Sequence, residues 1–117
     1  MSDTHRDPLR VLFVCSRNQW RSPTAERVFR ADPTLAVRSA GTSHRARRTV
    51  TAADLQWADA ILVMEDEHRS RLRADYRPTL EHKPLRVLHI PDEYGFMDPA
   101  LIAELETAVP AALQDLL

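Results

Sequence analysis

The sequence predicts an α/β fold in which a four-stranded parallel sheet carries helices on both faces. Short apolar runs alternate along the chain with segments of helical periodicity, which is the pattern of parallel strands joined by crossover helices. The runs are apolar at most positions, as in strands buried on both faces. A length of 117 residues suits a single domain, 1–117, in which residues 1–8 form a flexible N-terminus.

Four apolar runs are predicted as strands, at residues 9–14, 35–39, 60–64 and 85–90. Helix signals separate them. Ser22 is a suitable N-cap for the first helix, with a proline at the first helical position. Thr51 and Asp54 have the spacing of a capping box, which predicts a short helix through Trp57.

The remaining helices are predicted from charge and spacing. Residues 65–73 begin with acidic side chains, which the helix dipole stabilises in a first turn. Asp98 caps the last helix, whose apolar residues recur at core spacing. Pro110 should kink or end this helix because it lacks a backbone N–H.

Composition excludes several classes of protein. The formal net charge is −1, which argues against a dedicated nucleic-acid binder. The single cysteine excludes an intrachain disulfide, and no apolar run approaches the ~20 residues of a membrane span. The N-terminus is polar and has no signal-peptide core. We therefore expect a cytoplasmic monomer or weak dimer, without nucleic-acid or membrane partners and without a metal or cofactor.

The first predicted turn has the composition of an anion site. Ligands of parallel sheets bind beyond the carboxyl ends of the strands, and the turn after the first strand holds Cys15, Arg21 and Ser22. Backbone N–H groups of a tight loop and a helix N-terminus bind anions, and Arg21 adds a bidentate contact to phosphate. The same positive field favours the thiolate form of Cys15, to which Ser22 can donate a hydrogen bond.

Position, more than spacing, makes this turn a candidate active site. The spacing from Cys15 to Arg21 also occurs by chance, and cysteine is common as a small buried apolar residue. Placement between a buried strand and a helix that starts near a proline favours catalysis. Asn18 is the loop residue best able to adopt the left-handed conformation, because the loop lacks glycine.

The turn after residue 90 supplies carboxylates to the same edge of the sheet. Asp92 could protonate the leaving oxygen of a phosphate ester and later deprotonate the attacking water. A turn aspartate after a proline is the structural alternative, and Glu93 is the rival acid.

The stretch VLFVCSRNQWRSPTAE resembles the opening of the low-molecular-weight protein tyrosine phosphatase family. The family signature is Cys-x5-Arg-Ser/Thr, with Asn three residues after the cysteine. The likeness continues through residues 39–42, 44–47 and 58–65 and in the loop around Asp92. It implies the family's four-stranded parallel sheet, in agreement with the pattern of strands and helices.

The resemblance also implies a role for each matching residue. Cys15 would be the nucleophile that becomes phosphocysteine, Arg21 would bind the transferring phosphoryl group, and Ser22 would stabilise the departing thiolate. Asp92 would be the general acid. Tyr94 would be an aromatic side chain at the rim of the pocket, packed against the substrate ring.

Further residues would bind phosphate or support the loop. The phosphate-binding set is Ser16, Arg17, Asn18, Gln19, Trp20 and Arg21. Asn18, Ser39 and His44 match a hydrogen-bond network that keeps the family's loop in its binding conformation.

The chain departs from the family pattern and resembles a shortened member. Glu93 replaces the proline that usually follows the acid, and Ser16 and Arg17 replace an apolar residue and a glycine. Arg17 and Trp20 should alter the pocket walls and with them the substrate preference. A wall segment is absent before His44, so we expect a shallower and more open site.

The predicted function is hydrolysis of phosphotyrosine proteins or small phosphomonoesters through a phosphocysteine intermediate. Two alternatives stay open. A catalytically silent phosphopeptide-binding module would use the same loop. An arsenate reductase has a related loop and fold, but its thioredoxin-coupled kind needs cysteines beyond Cys15.

Overall fold

The computed structural model describes residues 7–117 and contains a parallel sheet with strand order β2-β1-β3-β4. The strands are β1 (Leu9–Cys15), β2 (Leu35–Gly41), β3 (Ala60–Val63) and β4 (Leu85–Val87). The helices are α1 (Arg21–Phe29), α2 (Ala52–Trp57), α3 (Asp66–Leu80) and α4 (Pro99–Leu113). The predicted fold class is confirmed. Of the predicted flexible N-terminus, residues 1–6 lie outside the described residues.

Side chains of the central strand β1 alternate between two cores. Val11 and Phe13 pack on the face covered by α1 and α4. Leu12 and Val14 pack on the opposite face, which α2 and α3 cover. All four side chains are fully buried, and each such burial contributes roughly 1.5–3 kcal/mol. The helices therefore lie on both faces because β1 is apolar on both.

The register of β1 places its last residue at the middle of the carboxyl edge of the sheet. Cys15 pairs with Gly41 of β2, and Val14 pairs with Val63 of β3. The turns that follow β1, β2 and β3 consequently meet at one edge.

The predicted capping box of α2 is confirmed, but the start of α1 is corrected. Thr51 Oγ1 accepts a hydrogen bond from the Asp54 N–H, and the Asp54 carboxylate accepts from the Thr51 N–H. α1 begins at Arg21 with Trp20 at the N-cap and has no side-chain cap. Ser22 does not cap this helix, because its hydroxyl is bonded within the loop.

Three further boundaries differ from prediction by three residues or more. The helix predicted to end at residue 73 continues to Leu80, with non-helical dihedral angles at Tyr76. α4 continues through Pro110 to Leu113, because apolar side chains on both sides of the proline are buried in the core. β4 stops at Val87, since the left-handed His89 (φ 58°) interrupts the extended chain. Within the described chain, no helix is both long and apolar enough to cross a membrane.

Candidate active site

Residues 15–22, which we call the phosphate loop, make a tight turn between β1 and α1. Asn18 adopts the predicted left-handed conformation, with a φ of 54°, so the chain turns here without a glycine. In residues 7–117, no hydrogen bond uses the backbone N–H groups of residues 16–20. Together with the N-terminus of α1, these groups can bind an anion.

A buried chain of hydrogen bonds leads to the cysteine. Cys15 Sγ lies 2.9 Å from Ser22 Oγ. Asn18 Nδ2 donates to Ser22 Oγ and to Ser39 Oγ, each at 2.9 Å, and the Ser39 hydroxyl donates to Glu26 Oε1 at 2.6 Å. Because Ser22 accepts from Asn18, its own proton can point at the sulfur, which is closer than a backbone carbonyl at 3.4 Å. This arrangement places a hydroxyl hydrogen-bond donor against the cysteine sulfur.

The guanidinium of Arg21 is held from behind the pocket. The residue is only 3% exposed, and Nη1 donates to Glu65 Oε1 at 2.5 Å and to the Ile90 carbonyl at 2.8 Å. Nε lies 3.8 Å from Asp92 Oδ1. Since Nη1 is engaged, the edge formed by Nε and Nη2 is the one suited to a bidentate phosphate contact.

His68 connects the phosphate loop to the start of α3. Its side chain is 1% exposed, Nδ1 accepts from the Glu65 N–H at 3.0 Å, and Nε2 lies 2.9 Å from Ser16 Oγ. Because Nδ1 is an acceptor, the ring is neutral with its proton on Nε2, which donates to Ser16. Burial, followed by the nearby Arg21 cation, lowers the pKa of His68 to about 4.

Gly41 lets the phosphate loop approach β2 closely. A Cβ at this position would lie 2.5 Å from the Ser16 carbonyl oxygen, 2.6 Å from Ala46 Cβ and 3.0 Å from the Asn18 nitrogen. Any larger residue would therefore displace the loop or the chain that follows β2.

The segment of residues 43–47 lies along the outside of the phosphate loop. The Ser43 N–H donates to the Ser16 carbonyl at 2.9 Å, and the Arg47 N–H donates to the Arg17 carbonyl at 3.0 Å. The phosphate loop is thus held between β2 and residues 43–47.

Asp54 anchors the far end of that segment. Arg48 Nη2 donates to Asp54 Oδ1 at 2.5 Å, and Arg48 Nη1 donates to the Ser39 carbonyl at 2.7 Å. Burial alone would raise the pKa of Asp54, but hydrogen bonds from Arg48 and Thr51 outweigh it and leave the pKa lowered. The carboxylate therefore stays charged and ties α2 to the end of β2.

The pocket above the sulfur gathers most of the predicted site residues. They are Cys15, Ser16, Arg17, Gln19, Trp20, Arg21 and Asp92. The indole of Trp20 is 46% exposed and supplies the aromatic wall. Asn18, Ser22 and Ser39 support the pocket from beneath through the hydrogen bonds described above.

Residues 91–98, which we call the acid loop, form the opposite side of the pocket. The Asp92 side chain is 59% exposed. The loop is connected by backbone bonds of 3.0 Å from Glu93 to Pro91 and 3.2 Å from Asp98 to Gly95. The Met97 N–H donates to an α1 threonine hydroxyl at 2.9 Å, and Tyr94 and Asp98 are hydrogen-bonded to residues of α4.

The structure corrects the predicted positions of His44 and Tyr94. His44 is exposed and lines a groove beside the phosphate loop. It does not join Asn18 and Ser39, because the short segment that contains it runs along the outside of the loop. In the network, Glu26 accepts the Ser39 hydrogen bond.

Tyr94 is turned away from the pocket. Its ring packs against the core beneath α1 and α4, and its hydroxyl donates to Glu104. That hydrogen bond is the main cause that raises the pKa of Tyr94 to about 12. Trp20, not Tyr94, is therefore the aromatic residue in the pocket lining.

Three supporting residues were missed by sequence reasoning. Glu65 follows the run predicted as the third strand, so its position at the carboxyl edge could have identified it. Glu26 and His68 lie on helices among ordinary polar residues, and no local pattern distinguishes them.

Glu65, Glu67 and His68 bring ligand-type atoms within 4.8 Å of one another. Glu65 is paired with Arg21, and both ring nitrogens of His68 are hydrogen-bonded within the protein. The cluster therefore supports the phosphate loop and lacks the arrangement of a metal-bound imidazole.

The sequence comparison finds a resemblance to a known family at the site. Residues 10–51, which contain the whole phosphate loop, match the model of the family described as low molecular weight phosphotyrosine protein phosphatase. The resemblance to this family is confirmed. No curated protein matches the chain.

Solved structures of phosphatases share the fold over almost the whole chain. The YwlE arginine phosphatase from Geobacillus stearothermophilus is 23% identical, with a TM-score of 0.75 and coverage of 93% of each chain. The tyrosine phosphatase Wzb from Escherichia coli K30, in complex with phosphate, is 23% identical, with a TM-score of 0.69 and coverage of 92% of this chain and 97% of its own.

A low molecular weight protein tyrosine phosphatase from T. tengcongensis is also 23% identical, with a TM-score of 0.69 and coverage of 93% of this chain and 99% of its own. At these identities the likeness establishes the fold. It extends the similarity beyond residue 51, where the family match ends.

Proposed function

We propose that this protein is a cysteine-dependent phosphatase that hydrolyses phosphotyrosine in proteins through a phosphocysteine intermediate. The observation that carries the proposal is the convergence of Cys15, Arg21 and Asp92 on one pocket, with Ser22 Oγ 2.9 Å from the sulfur. The match of residues 10–51 to a phosphotyrosine phosphatase family supports the same chemistry.

In the first step, the Cys15 thiolate attacks phosphorus and the bond between phosphorus and the tyrosine oxygen breaks. The leaving oxygen takes the proton of the Asp92 carboxyl group, so tyrosine departs neutral. Arg21 and the loop N–H groups stabilise the charge on the other phosphoryl oxygens. The products are phosphocysteine and the dephosphorylated side chain.

In the second step, water attacks the phosphorus of phosphocysteine and the phosphorus–sulfur bond breaks. The Asp92 carboxylate takes the proton of that water, which restores the acid. The sulfur leaves as a thiolate and receives the Ser22 hydrogen bond, whose geometry the Asn18 amide sets. Inorganic phosphate is released.

Trp20 supports an aromatic leaving group. It is half exposed and lines the pocket, so a phenyl ring above Cys15 could pack against the indole. Structures with this fold include an arginine phosphatase and tyrosine phosphatases, so the fold alone does not select the leaving group. The side chain of Trp20 is the observation that favours tyrosine.

The test is hydrolysis of a phosphotyrosine peptide and of para-nitrophenyl phosphate by the wild type, Cys15→Ser, Asp92→Asn and Glu93→Gln. We expect no turnover by Cys15→Ser. Removing the acid in Asp92→Asn should lower kcat on the peptide by about a hundredfold. Glu93→Gln is the matched control, because Glu93 is exposed on the same loop, and it should keep near wild-type kcat.

Each variant can contradict the proposal. Wild-type turnover in Cys15→Ser would exclude the covalent mechanism. A loss in Glu93→Gln with none in Asp92→Asn would move the acid to Glu93. Tight phosphopeptide binding without turnover by the wild type would support a silent binding module.

The substrate class is tested by comparing a phosphotyrosine peptide with a phosphoarginine peptide of the same sequence. We expect a preference for phosphotyrosine that Trp20→Ala reduces. A preference for phosphoarginine would overturn the substrate assignment and leave the two-step chemistry in place. The cytoplasmic location and the monomeric or weakly dimeric state stay predictions from the sequence.

A further inference from the structure

The two sides of the pocket carry opposite charges. Arg17 lines the pocket on the side of the phosphate loop, and Asp92 lines it on the side of the acid loop. Both residues are exposed, as is Glu93 beside Asp92. The field across the entrance therefore has a direction, from a positive side to a negative side.

Two further arginines extend the positive side. Arg45 and Arg47 lie on the segment that is bonded to the phosphate loop, where the Arg47 N–H donates to the Arg17 carbonyl at 3.0 Å. Arg45 lines a groove that Ser16 also lines, so it borders the loop directly. All three arginines are exposed. We call Arg17, Arg45 and Arg47 the basic rim.

The charges of the basic rim are not neutralised within residues 7–117. Eight other arginines of this range form ion pairs with carboxylates, and no member of the basic rim does. The paired residues are Arg10, Arg21, Arg30, Arg38, Arg48, Arg69, Arg71 and Arg86.

The contrast with Arg48 is the most direct, because Arg48 follows Arg47 in the chain and its guanidinium is held by Asp54 at 2.5 Å. Glu67 is the one carboxylate among the residues that line the groove with Arg45. Three guanidinium groups beside the entrance to the site are thus available to an external anion.

We propose that the basic rim binds an acidic segment of the substrate, so that the preferred phosphoprotein carries carboxylates within a few residues of its phosphorylated side chain. This inference rests on the proposed phosphatase function and adds a substrate preference to it. Guanidinium groups pair with carboxylates, and opposite charges speed encounter. Asp92 and Glu93 repel the same carboxylates, so the acidic segment lies only on the rim side and the orientation of the substrate is set.

The test compares phosphotyrosine peptides of one length whose flanking residues are acidic, neutral or basic, with para-nitrophenyl phosphate as a substrate without flanks. For the wild type at low salt, we expect kcat/KM for the acidic peptide to exceed that for the neutral peptide by roughly tenfold, since exposed ion pairs are individually weak. High salt should abolish the difference, because it screens exposed charges.

The variant for this test is Arg45→Gln/Arg47→Gln, which leaves the pocket lining intact. We expect unchanged kcat/KM for para-nitrophenyl phosphate and a preference for the acidic peptide below about twofold. The matched control is Arg73→Gln/Arg77→Gln on α3, which removes two exposed arginines outside the rim and should keep the full preference.

Failure of this inference and failure of the proposed function give different results. Hydrolysis of all peptides with equal kcat/KM would overturn the basic rim and leave the phosphatase in place. If no substrate were hydrolysed, the Kd values of the acidic and neutral phosphopeptides for the wild type would still test the rim. Equal Kd values, or an equal loss of preference in the Arg73→Gln/Arg77→Gln control, would also overturn it.

Discussion

The phosphate loop and the acid loop face each other across one pocket but are built in opposite ways. The phosphate loop has a buried framework, in which the Asn18 amide, the Ser22 hydroxyl and the Arg21 guanidinium are all hydrogen-bonded. The acid loop exposes Asp92 and Glu93, and its hydrogen bonds to α1 and α4 come from the later residues Met97, Tyr94 and Asp98.

This difference fits the two tasks that we propose for the loops. The nucleophile and the anion site must keep one geometry through both steps, because a displacement of about 1 Å can cost a hundredfold in rate. The acid acts first on an ester oxygen and then on a water at the same face, and both partners reach it from solvent. A loop with a buried, hydrogen-bonded framework suits the first task and an exposed carboxylate suits the second.

The largest effect is expected at the two glycines of the chain, since Gly41 contacts the phosphate loop and Gly95 lies within the acid loop. Gly41→Ala would place a Cβ 2.5 Å from the Ser16 carbonyl oxygen, so we expect kcat to fall by about a hundredfold through displacement of the phosphate loop. Gly95→Ala is the matched control, because nothing lies within 4 Å of its Cβ. Steady-state kinetics and circular dichroism of both variants provide the measurement.

Wild-type kcat in a folded Gly41→Ala variant would show that the phosphate loop tolerates movement. A large loss in Gly95→Ala would show that the acid loop is as constrained as the phosphate loop. Either result would contradict the claim that the phosphate loop is more tightly constrained than the acid loop.

A smaller effect is expected from Asn18→Gly, which tests the role of the Asn18 side chain in the phosphate loop. Glycine keeps the left-handed backbone at φ 54° but removes the amide that orients Ser22 and Ser39. We expect roughly tenfold slower hydrolysis of the phosphoenzyme, as for the loss of about one hydrogen bond to the departing thiolate. Rapid-quench kinetics separate this step from phosphoryl transfer to Cys15.

Asn18→Ala should lose more than Asn18→Gly, because alanine in the left-handed region costs a further 1–2 kcal/mol, approximately. Equal kinetics for the two variants would mean that the backbone conformation does not matter. Undiminished hydrolysis of the phosphoenzyme in Asn18→Gly would remove the amide from the mechanism.

The last expected effect is on stability rather than on rate, and it concerns the buried support of the phosphate loop. Burial and the Arg21 cation lower the pKa of His68 from 6.5 to about 4, while Glu65 and Asp92 oppose the shift; Glu67 also lies 3.8 Å from the ring. Between these pH values the unfolded chain binds a proton that the folded protein does not. The free energy of unfolding should therefore decrease as the pH falls from 6.5 to 4, by at most about 3 kcal/mol.

Urea unfolding of the wild type and His68→Gln across this pH range measures the contribution. The variant should show a flatter profile from pH 6.5 to 4, and the difference between the two proteins isolates the histidine from the carboxylates. His44→Gln is the control, because His44 is exposed and is solvated in both states. A wild-type slope retained in His68→Gln would contradict the assignment.

Much of the phosphate loop could be predicted from local sequence. The left-handed Asn18 follows from a glycine-free turn, and the capping box of α2 follows from the spacing of Thr51 and Asp54. The start of α1 could not be predicted locally, because Ser22 has two possible roles. Its hydroxyl could cap the helix or bond the cysteine. In the folded protein it lies 2.9 Å from the cysteine sulfur and does not cap the helix.

The aromatic wall of the pocket and the hydrogen-bond network beneath it also could not be predicted from local sequence. Tyr94 has the sequence position of a pocket residue, but its ring packs into the core and its hydroxyl reaches Glu104 on α4. His44 has the position of a network residue, but the short connection after β2 turns it outward. Both outcomes depend on where another helix or loop lies in the folded protein, and that position cannot be deduced from residue type and spacing.

By itself, the sequence determined the α/β class, the loop between β1 and α1 and the placement of Asp92 near the same edge of the sheet. Each of these depends on periodicity, capping or the order of the strands along the chain. All three can be recognised from residues that are close in sequence. Only the tertiary structure decided that Glu26, Glu65 and His68 support the phosphate loop. Glu65 and His68 lie at the N-cap and start of α3 and meet the loop because the strand order sets β3 beside β1. Glu26 on α1 reaches the loop through Ser39 of β2, on the other side of β1.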